Sequence, residues 1–398
     1  MTLHQTQTTI DSNPFDPASA ARSILPVLQA ESAQSEMDRR LVPPVVSALR
    51  NSGLSRMLVP KRFNGYELPP SHHIRSCTTL AHGCSAASWV HMVCGAHSFV
   101  VGRYPEKCQE EVFGGNPDVL IPGTLAPQGK ARKVPGGWLI NGRWQFGSGV
   151  DHGPWLLLGA RAFAETGDDP LPPVHVVVPK SDIVVDDTWF TLGLRATGSK
   201  DLIASDVFVP DYRAMATLEL FRGDFAGDAG PLYRLPVTGG LSSMLAATVL
   251  GISQRGMEKF VDVTRVRDDV YAGGSKAAKV GIQLRLAESL GELEIAETLI
   301  DKNCDLLDSA MAENELPVAI EDAAQIRWNA AYSVELCRRA TDRIYAVAGA
   351  HATYNDSLLQ RWYRDVNTAS HHAIVDFDGI SETRGRMKLG LAPAPGSI

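Results

Sequence analysis

Two short segments rich in small polar residues have the composition expected of turns that hold a ligand. Residues 144–149 read Trp-Gln-Phe-Gly-Ser-Gly, and residues 196–201 read Ala-Thr-Gly-Ser-Lys-Asp. Glycine lacks the Cβ atom that would keep a ligand away from the backbone, and hydroxyl groups both donate and accept hydrogen bonds. The segments therefore predict two turns that hold the edge of a flat polar ring, although ordinary β-turns use the same residues for backbone reasons. The predicted contacts are Trp144, Phe146, Ser148, Gly149, Thr197, Gly198 and Ser199.

A third segment, residues 361–372, ends in the histidine pair His371 and His372. An imidazole titrates near neutral pH, so it can act as a general acid or base. Adjacent residues on a helix point about 100° apart, so only one of the two can face a given ligand. A capping or solvated histidine is the alternative.

Histidine and cysteine residues crowd into residues 72–97, which raises the question of a metal site. Pairs such as His73 and Cys77 share one helical face. The region has no CxxC or HExxH motif and no downstream ligand pair, the tight spacings on which zinc sites usually draw. We therefore predict no metal.

The order of periodicities along the chain predicts three structural regions. Apolar residues recur at helical spacing in residues 20–114, and strands with alternating side chains follow in residues 117–214. Within these strands, Asn141-Gly142 has the sequence of a hairpin turn. Long helical patterns return from about residue 233 to 348. The predicted domains are 1–116 (helical), 117–225 (a β-barrel) and 226–398 (a four-helix bundle), an α+β fold that is mostly α.

Composition excludes several classes of function. The chain has 398 residues, 44% of them hydrophobic and 21% charged, and a net charge of −7, so it has no basic field for nucleic acid. Residues 1–15 lack the basic and apolar regions of a signal peptide, and no apolar run is long enough to span a membrane. We expect a cytoplasmic protein whose six cysteines are reduced.

Taken in order, the two polar turns resemble the flavin-binding β-domain of the acyl-CoA dehydrogenase fold. The likeness covers roughly residues 20–391 and includes the loop that begins at Pro60, where Asn64 stands in place of a glycine. In acyl-CoA dehydrogenases an Arg-Asp pair is followed about eight residues later by a glutamate base. Here Arg364 and Asp365 are followed at that distance by Ala373, and His372 stands just before it. The chain is therefore more similar to the oxygenase components of two-component flavin monooxygenases, which place a histidine near this point.

The resemblance implies a cofactor, partners and roles for individual residues. It implies reduced FMN or FAD, reaction with O2 to a C4a-hydroperoxyflavin, and hydroxylation of an aromatic or polycyclic substrate. A separate NAD(P)H:flavin reductase would supply the flavin, since no nicotinamide fingerprint is present, and the protein would be a homotetramer. His372 would donate to the peroxide and accept a phenol proton, Ser148 would hydrogen-bond near flavin N5, His91 would lie beside the substrate, and Arg265 would contact the flavin phosphate.

Other functions stay open at this point. An FAD-dependent acyl-CoA dehydrogenase would need a carboxylate base, for which Asp376 and Asp378 are the nearest candidates. An N-oxygenase of the same fold would use the same flavin chemistry. A catalytically silent helical scaffold would bind no flavin. For His91 and Arg265, a core histidine and a solvated helix face are equally consistent.

Overall fold

The computed structural model describes residues 15–223, 230–269, 273–314, 316 and 318–394. Helices come first, a single sheet follows, and long helices complete the chain, in the order that the periodicities predict. The first predicted boundary falls in the connection between the last N-terminal helix and the first strand. The second, at 225/226, lies outside the described residues.

In the described part of the chain, five α-helices precede the sheet, and the fourth lies at the centre of the core. Helix α4 is buried almost throughout because its residues are apolar or small. Its neighbour α3 begins at a proline, which suits the first turn of a helix because that turn leaves its N–H groups unpaired. Asn64 adopts the left-handed conformation predicted for the connecting loop, with φ 61°. The helices are α1 (Pro17–Asp38), α2 (Pro43–Asn51), α3 (Pro70–Ala81), α4 (Ser85–Val101) and α5 (Glu106–Phe113).

The strands of the described residues, seven in number, form one sheet in the order β5-β6-β2-β1-β3-β4-β7. Strands β1 and β3 pair in parallel, and the other pairs are antiparallel. Alternating apolar side chains of the long strands form a second, smaller core under the sheet. The strands are β1 (Gly123–Val134), β2 (Gly137–Gly147), β3 (Trp155–Phe163), β4 (Pro170–Pro179), β5 (Val184–Asp186), β6 (Lys200–Pro210) and β7 (Ala214–Ala216).

The hairpin predicted at Asn141-Gly142 is wrong. Both residues lie inside β2, and the turn that reverses the chain precedes them, between Val134 and Gly137. The register between β2 and β6 shifts beside Gly142, so the site is a bulge. Asn141 closes it by exchanging two 2.9 Å hydrogen bonds with Asp206 of the neighbouring strand.

Where the structure describes the chain after the sheet, it forms six α-helices, and α7 is the axis of their bundle. Helix α7 packs against α3 and α4 on one side and against α8, α9 and α10 on the other, which joins the N-terminal and C-terminal helices in one core. The bundle continues beyond residues 349–351, where the sequence pattern ended it. Its helices are α6 (Thr217–Arg222), α7 (Val237–Arg265), α8 (Val280–Glu313), α9 (Ile320–Tyr345), α10 (Leu358–Ala369) and α11 (Phe377–Lys388). Among the described residues, none of the helices is both long and apolar enough to cross a membrane.

Candidate active site

Three hydroxyl groups from the two predicted turns meet at one point. Ser148 Oγ lies 2.7 Å from Ser199 Oγ, and Ser199 Oγ lies 2.6 Å from Thr197 Oγ1. All three residues are buried, with at most 6% of their surface exposed. The backbone joins the same turns, because Gly149 N–H donates to Thr197 O over 2.8 Å. The structure thus brings together the two segments that the sequence places about fifty residues apart.

Trp89 of α4 links this hydroxyl cluster to His372. Its indole Nε1 donates to Ser148 Oγ over 3.2 Å, and its ring centroid lies 5.8 Å from that of His372. Its contacts place it between the two residues predicted to be catalytic, where one helix meets both the sheet and the C-terminal bundle.

His372 lies after the end of α10 and not within it, so the helical argument for choosing between His371 and His372 does not apply. His372 Nδ1 accepts a 3.2 Å hydrogen bond from Ile374 N–H. Desolvation lowers the pKa of His372 to about 4, although more than a third of the residue is exposed. A neutral ring whose Nδ1 accepts carries its hydrogen on Nε2, so this nitrogen donates and does not accept. The phenol-proton half of the role predicted for His372 does not fit this tautomer.

His371 has different surroundings. It is exposed, and its Nδ1 donates to Asn367 O over 2.6 Å. His371 is thus anchored to its own helix, whereas His372 contacts Trp89.

Asp365 holds the second turn against α10. Its Oδ1 accepts the Leu194 N–H over 2.7 Å at the start of the 3-10 turn Arg195–Thr197. The carboxyl is buried, and desolvation followed by the charge of Glu36 raises its pKa to about 6. A Cβ on Gly193 would lie 2.3 Å from Arg364 O, so only glycine allows this approach. The Arg-Asp pair therefore positions the loop that carries Thr197 and Ser199.

The structure corrects one of the two ring contacts predicted in β2. Trp144 lies wholly inside the core of the sheet, where its Nε1 donates to Gly159 O over 2.6 Å. Phe146 has φ 67° at the register shift after Trp144, which breaks the alternation of side chains and leaves Phe146 58% exposed. Trp144 is therefore a core residue, and the predicted contact of Phe146 remains a prediction.

The glycines and backbone amides of the two turns contact other parts of the protein. Ser148 N–H donates to Phe146 O over 2.8 Å, and Gly149 N–H is bonded to Thr197 O as described above. A Cβ on Gly149 would lie 3.0 Å from Val90 Cγ1 of α4, and Gly149 has φ 74°. Gly198 has φ 54°. Because these two amides donate to protein acceptors, they are not free to face a ligand in this structure, and the predicted ligand contacts of Ser148, Gly149 and Gly198 remain predictions.

His91 faces away from this cluster. Its Nε2 lies 2.9 Å from Ser76 Oγ of α3, and its ring lies 4.1 Å from that of His73. His73, Cys77 and His91 place one possible metal-ligand atom each within 4.8 Å of one another. Burial raises the pKa of the Cys77 thiol well above its usual range, which opposes the thiolate form that metals bind. The absence of a metal remains a prediction. The predicted place of His91 beside the substrate is not supported by these contacts.

The sequence analysis missed His97 as a candidate. Two turns beyond Trp89 on α4, His97 is buried, and desolvation lowers its pKa to about 4. Its Nδ1 donates to Ile121 O over 2.7 Å, so the neutral ring presents a lone pair at Nε2. His97 lies eight residues beyond Trp89, about 80° further round the helix, so periodicity along α4 did not single it out. Arg265, by contrast, is exposed at the end of α7, and its phosphate contact remains a prediction.

Comparison with known proteins agrees with this arrangement. Residues 243–377 match the acyl-CoA dehydrogenase C-terminal domain family. A pigment production hydroxylase of a Rhodococcus species is 31% identical over 372 residues, which cover 93% of this chain and 95% of that protein. The chain belongs to the flavin-dependent oxygenases with the acyl-CoA dehydrogenase fold.

Other members of this oxygenase family support the same assignment. The oxygenase component of p-hydroxyphenylacetate 3-hydroxylase from Acinetobacter baumannii is 29% identical over 378 residues, covering 94% of this chain and 89% of that one. The structure of XiaF from a Streptomyces species, in complex with FADH2 and glycerol, superposes with a TM-score of 0.90 at 27% identity, covering 96% and 97% of the two chains. The predicted fold class and the predicted flavin monooxygenase activity are confirmed.

The residues of the site fit a flavin ring. Ser148, Trp89 and His372 supply hydrogen-bonding groups beside aromatic surface, and a flat ring with polar edges needs both. The chain has Ala373 where a dehydrogenase has its base, and Asp376 uses its carboxylate to cap α11 through Gly379 N–H. The acyl-CoA dehydrogenase alternative is therefore not supported.

Proposed function

We propose that this oxygenase hydroxylates a phenol or a related aromatic compound, with reduced FMN or FAD supplied by a separate NAD(P)H:flavin reductase. The observation that carries the proposal is the contact of Trp89 with both Ser148 and His372. Support for the substrate class comes from relatives named for p-hydroxyphenylacetate and resorcinol hydroxylation. The same oxygen chemistry serves an N-oxygenase, but none of the contacts described here favours an amine.

We assign the cofactor to the place where Ser148 and His372 both approach Trp89. Reduced flavin, when bound, supplies the electrons that activate O2. Ser148 would hold the N5 edge of the ring, and Thr197 and Ser199 would support Ser148. His372 would donate a hydrogen bond from Nε2, since its Nδ1 is engaged by Ile374 N–H. Burial of Trp89 and Ser148 keeps water from this edge.

We assign the acceptor of the substrate proton to His97. A phenol attacks an electrophilic oxygen more readily as its hydroxyl proton leaves, so a neutral base beside the hydroxyl assists the reaction. His97 Nε2 has the free lone pair that His372 Nε2 lacks, because Ile121 O holds the other ring nitrogen in its protonated form. Two histidines with opposite tautomers would divide the tasks of donor and acceptor.

The quaternary assembly is the other part of the proposal. Helix α8 exposes the apolar side chains of Val280, Leu284 and Ile295, and Leu389 after α11 is 79% exposed. The α8 residues lie near one helix face, and a row of exposed apolar groups is typical of an interface. We propose a homotetramer assembled through the C-terminal bundle, in the cytoplasm.

The proposal is tested by reconstituting turnover. Protein, flavin and a purified NADH:flavin reductase are incubated under 18O2 with p-hydroxyphenylacetate, resorcinol, indole-3-acetate and an aromatic amine. Mass spectrometry should find one 18O atom on a ring carbon of at least one phenol, and this product should be lost in His97→Asn. An 18O atom found only on the amine nitrogen would favour the N-oxygenase, and flavin oxidation without any labelled product would refute the proposal.

A further inference from the structure

The hydroxyls of Thr197, Ser199 and Ser148 form a continuous hydrogen-bonded chain, called here the hydroxyl chain. At one end Thr197 Oγ1 lies 2.8 Å from Leu194 O, and at the other end Ser148 Oγ accepts from Trp89 Nε1 over 3.2 Å. The internal oxygen separations are 2.6 and 2.7 Å. Because these residues are buried, each hydroxyl hydrogen needs an acceptor in the protein or in a ligand.

With the hydrogens directed towards Leu194, the chain is complete without a ligand. Thr197 donates to Leu194 O, Ser199 donates to Thr197, and Ser148 donates to Ser199. Each of the three hydroxyl hydrogens then has an acceptor, and Ser148 donates its hydrogen to Ser199 and not to a ligand. In this direction Ser148 Oγ accepts from Trp89 and keeps one further lone pair, so it can only accept from a ligand.

The opposite direction is also fully bonded once a ligand accepts. Thr197 then donates to Ser199, Ser199 donates to Ser148, and Ser148 donates outward. Leu194 O loses the Thr197 hydroxyl but keeps two other donors, Thr197 N–H and Trp189 Nε1–H, each at 3.1 Å. A carbonyl oxygen has two lone pairs, so it remains satisfied. Reversal needs only rotation of three hydroxyls and moves no proton between atoms.

We propose that the hydroxyl chain reverses with the oxidation state of the flavin, and that Thr197 and Ser199 are positioning residues for this reversal. The proposal rests on the proposed function, because it requires Ser148 to lie at N5 of the ring. In reduced flavin N5 carries a hydrogen and needs an acceptor, whereas in oxidised flavin N5 is an acceptor and needs a donor. The chain lets one serine meet both needs, so the protein holds the ring before and after turnover.

The matched pair Thr197→Val and Thr197→Ser tests the reversal. Valine has the shape of threonine but no hydroxyl, so Ser199 can donate only to Ser148, which fixes Ser148 as a donor. Reduced flavin then leaves one buried hydroxyl hydrogen without an acceptor, which should weaken its binding relative to oxidised flavin by about tenfold. For this two-electron couple, a tenfold change lowers the midpoint potential of the bound flavin by about 30 mV. Thr197→Ser keeps the hydroxyl and should keep the wild-type ratio of dissociation constants.

The readouts are anaerobic titrations with both flavin forms, the potential of the bound flavin, and the 15N shift of N5-labelled flavin. Ser199→Ala interrupts the chain independently and should shift the ratio in the same direction. If both Thr197→Val and Ser199→Ala bind flavin with the wild-type ratio of dissociation constants for its reduced and oxidised forms, the hydroxyl chain does not reverse. The proposed function would be unaffected by that result. Failure of the wild-type protein to bind either flavin would overturn the proposed function and the chain with it.

Discussion

Lowering the pH from 8 to 6 should leave the contribution of His372 to product formation unchanged. Desolvation lowers the pKa of its imidazole to about 4. At pH 6 a group with this pKa is about 99% neutral, whereas a histidine with the unperturbed pKa of about 6.5 would be only about 24% neutral. Protonation would also break the Nδ1 bond to Ile374 N–H and so move the ring. A pKa of about 4 therefore predicts that product formation does not change between pH 8 and 6. A pKa of about 6.5 would instead predict a marked change near that pH.

The assay is a single turnover, in which protein loaded with reduced flavin is mixed with O2 and a phenol that it hydroxylates. Product per flavin oxidised is measured from pH 6 to 8 for the wild type, His372→Ala and His371→Ala. Loss of one positioned hydrogen-bond donor costs about 10²–10³ in rate, so His372→Ala should form little product at any pH and give the background. His371→Ala should resemble the wild type, because its ring is exposed and bonded to Asn367 O. A step near pH 6.5 that is absent from His372→Ala, or equal losses in the two variants, would refute the assignment.

Three further predictions concern Ser148, the need for a reductase, and the buried side chain of His175. Ser148→Ala removes the hydroxyl that accepts from Trp89 Nε1. A larger share of the oxygen consumed should then form hydrogen peroxide instead of product, which a peroxide assay measures. An unchanged share would show that Ser148 serves only the turn. The purified chain with flavin and substrate should not oxidise NADH until a reductase is added, which absorbance at 340 nm measures, and rapid oxidation by the chain alone would contradict this. His175 is wholly buried, and desolvation lowers its pKa to about 4; between about pH 6.5 and 4 the unfolded chain binds the additional proton, so stability falls as the pH falls. The free energy of unfolding is measured with urea at pH 7 and pH 5. Between these pH values it should fall by about 2 kcal/mol less in His175→Gln than in the wild type. Equal falls in the two proteins would contradict the lowered pKa of His175.

The sequence determined the class of fold and the segments that build the site. The change from helical to alternating apolar spacing and back predicted the order of helices, sheet and helices, because burial of one face imposes a period on each element. The hydroxyls of Ser148, Thr197 and Ser199 were recognisable from their setting among glycines. Oxygenation was indicated by the resemblance to acyl-CoA dehydrogenases, which have a glutamate base where this chain has Ala373. These features are local in the chain, so local reasoning finds them.

Only the tertiary structure decided which of these side chains act together. The register shifts in β2 and the positive φ of Phe146 accompany the burial of Trp144 and the exposure of Phe146. Asn141 pairs with β1 and Gly142 with β6, so the strand continues where a hairpin was predicted. Trp89 reaches Ser148 and His372 because three distant segments pack together, and periodicity along one helix does not specify its neighbours. The tautomers of His97 and His372 depend on Ile121 O and Ile374 N–H, backbone groups whose positions exist only in the folded chain.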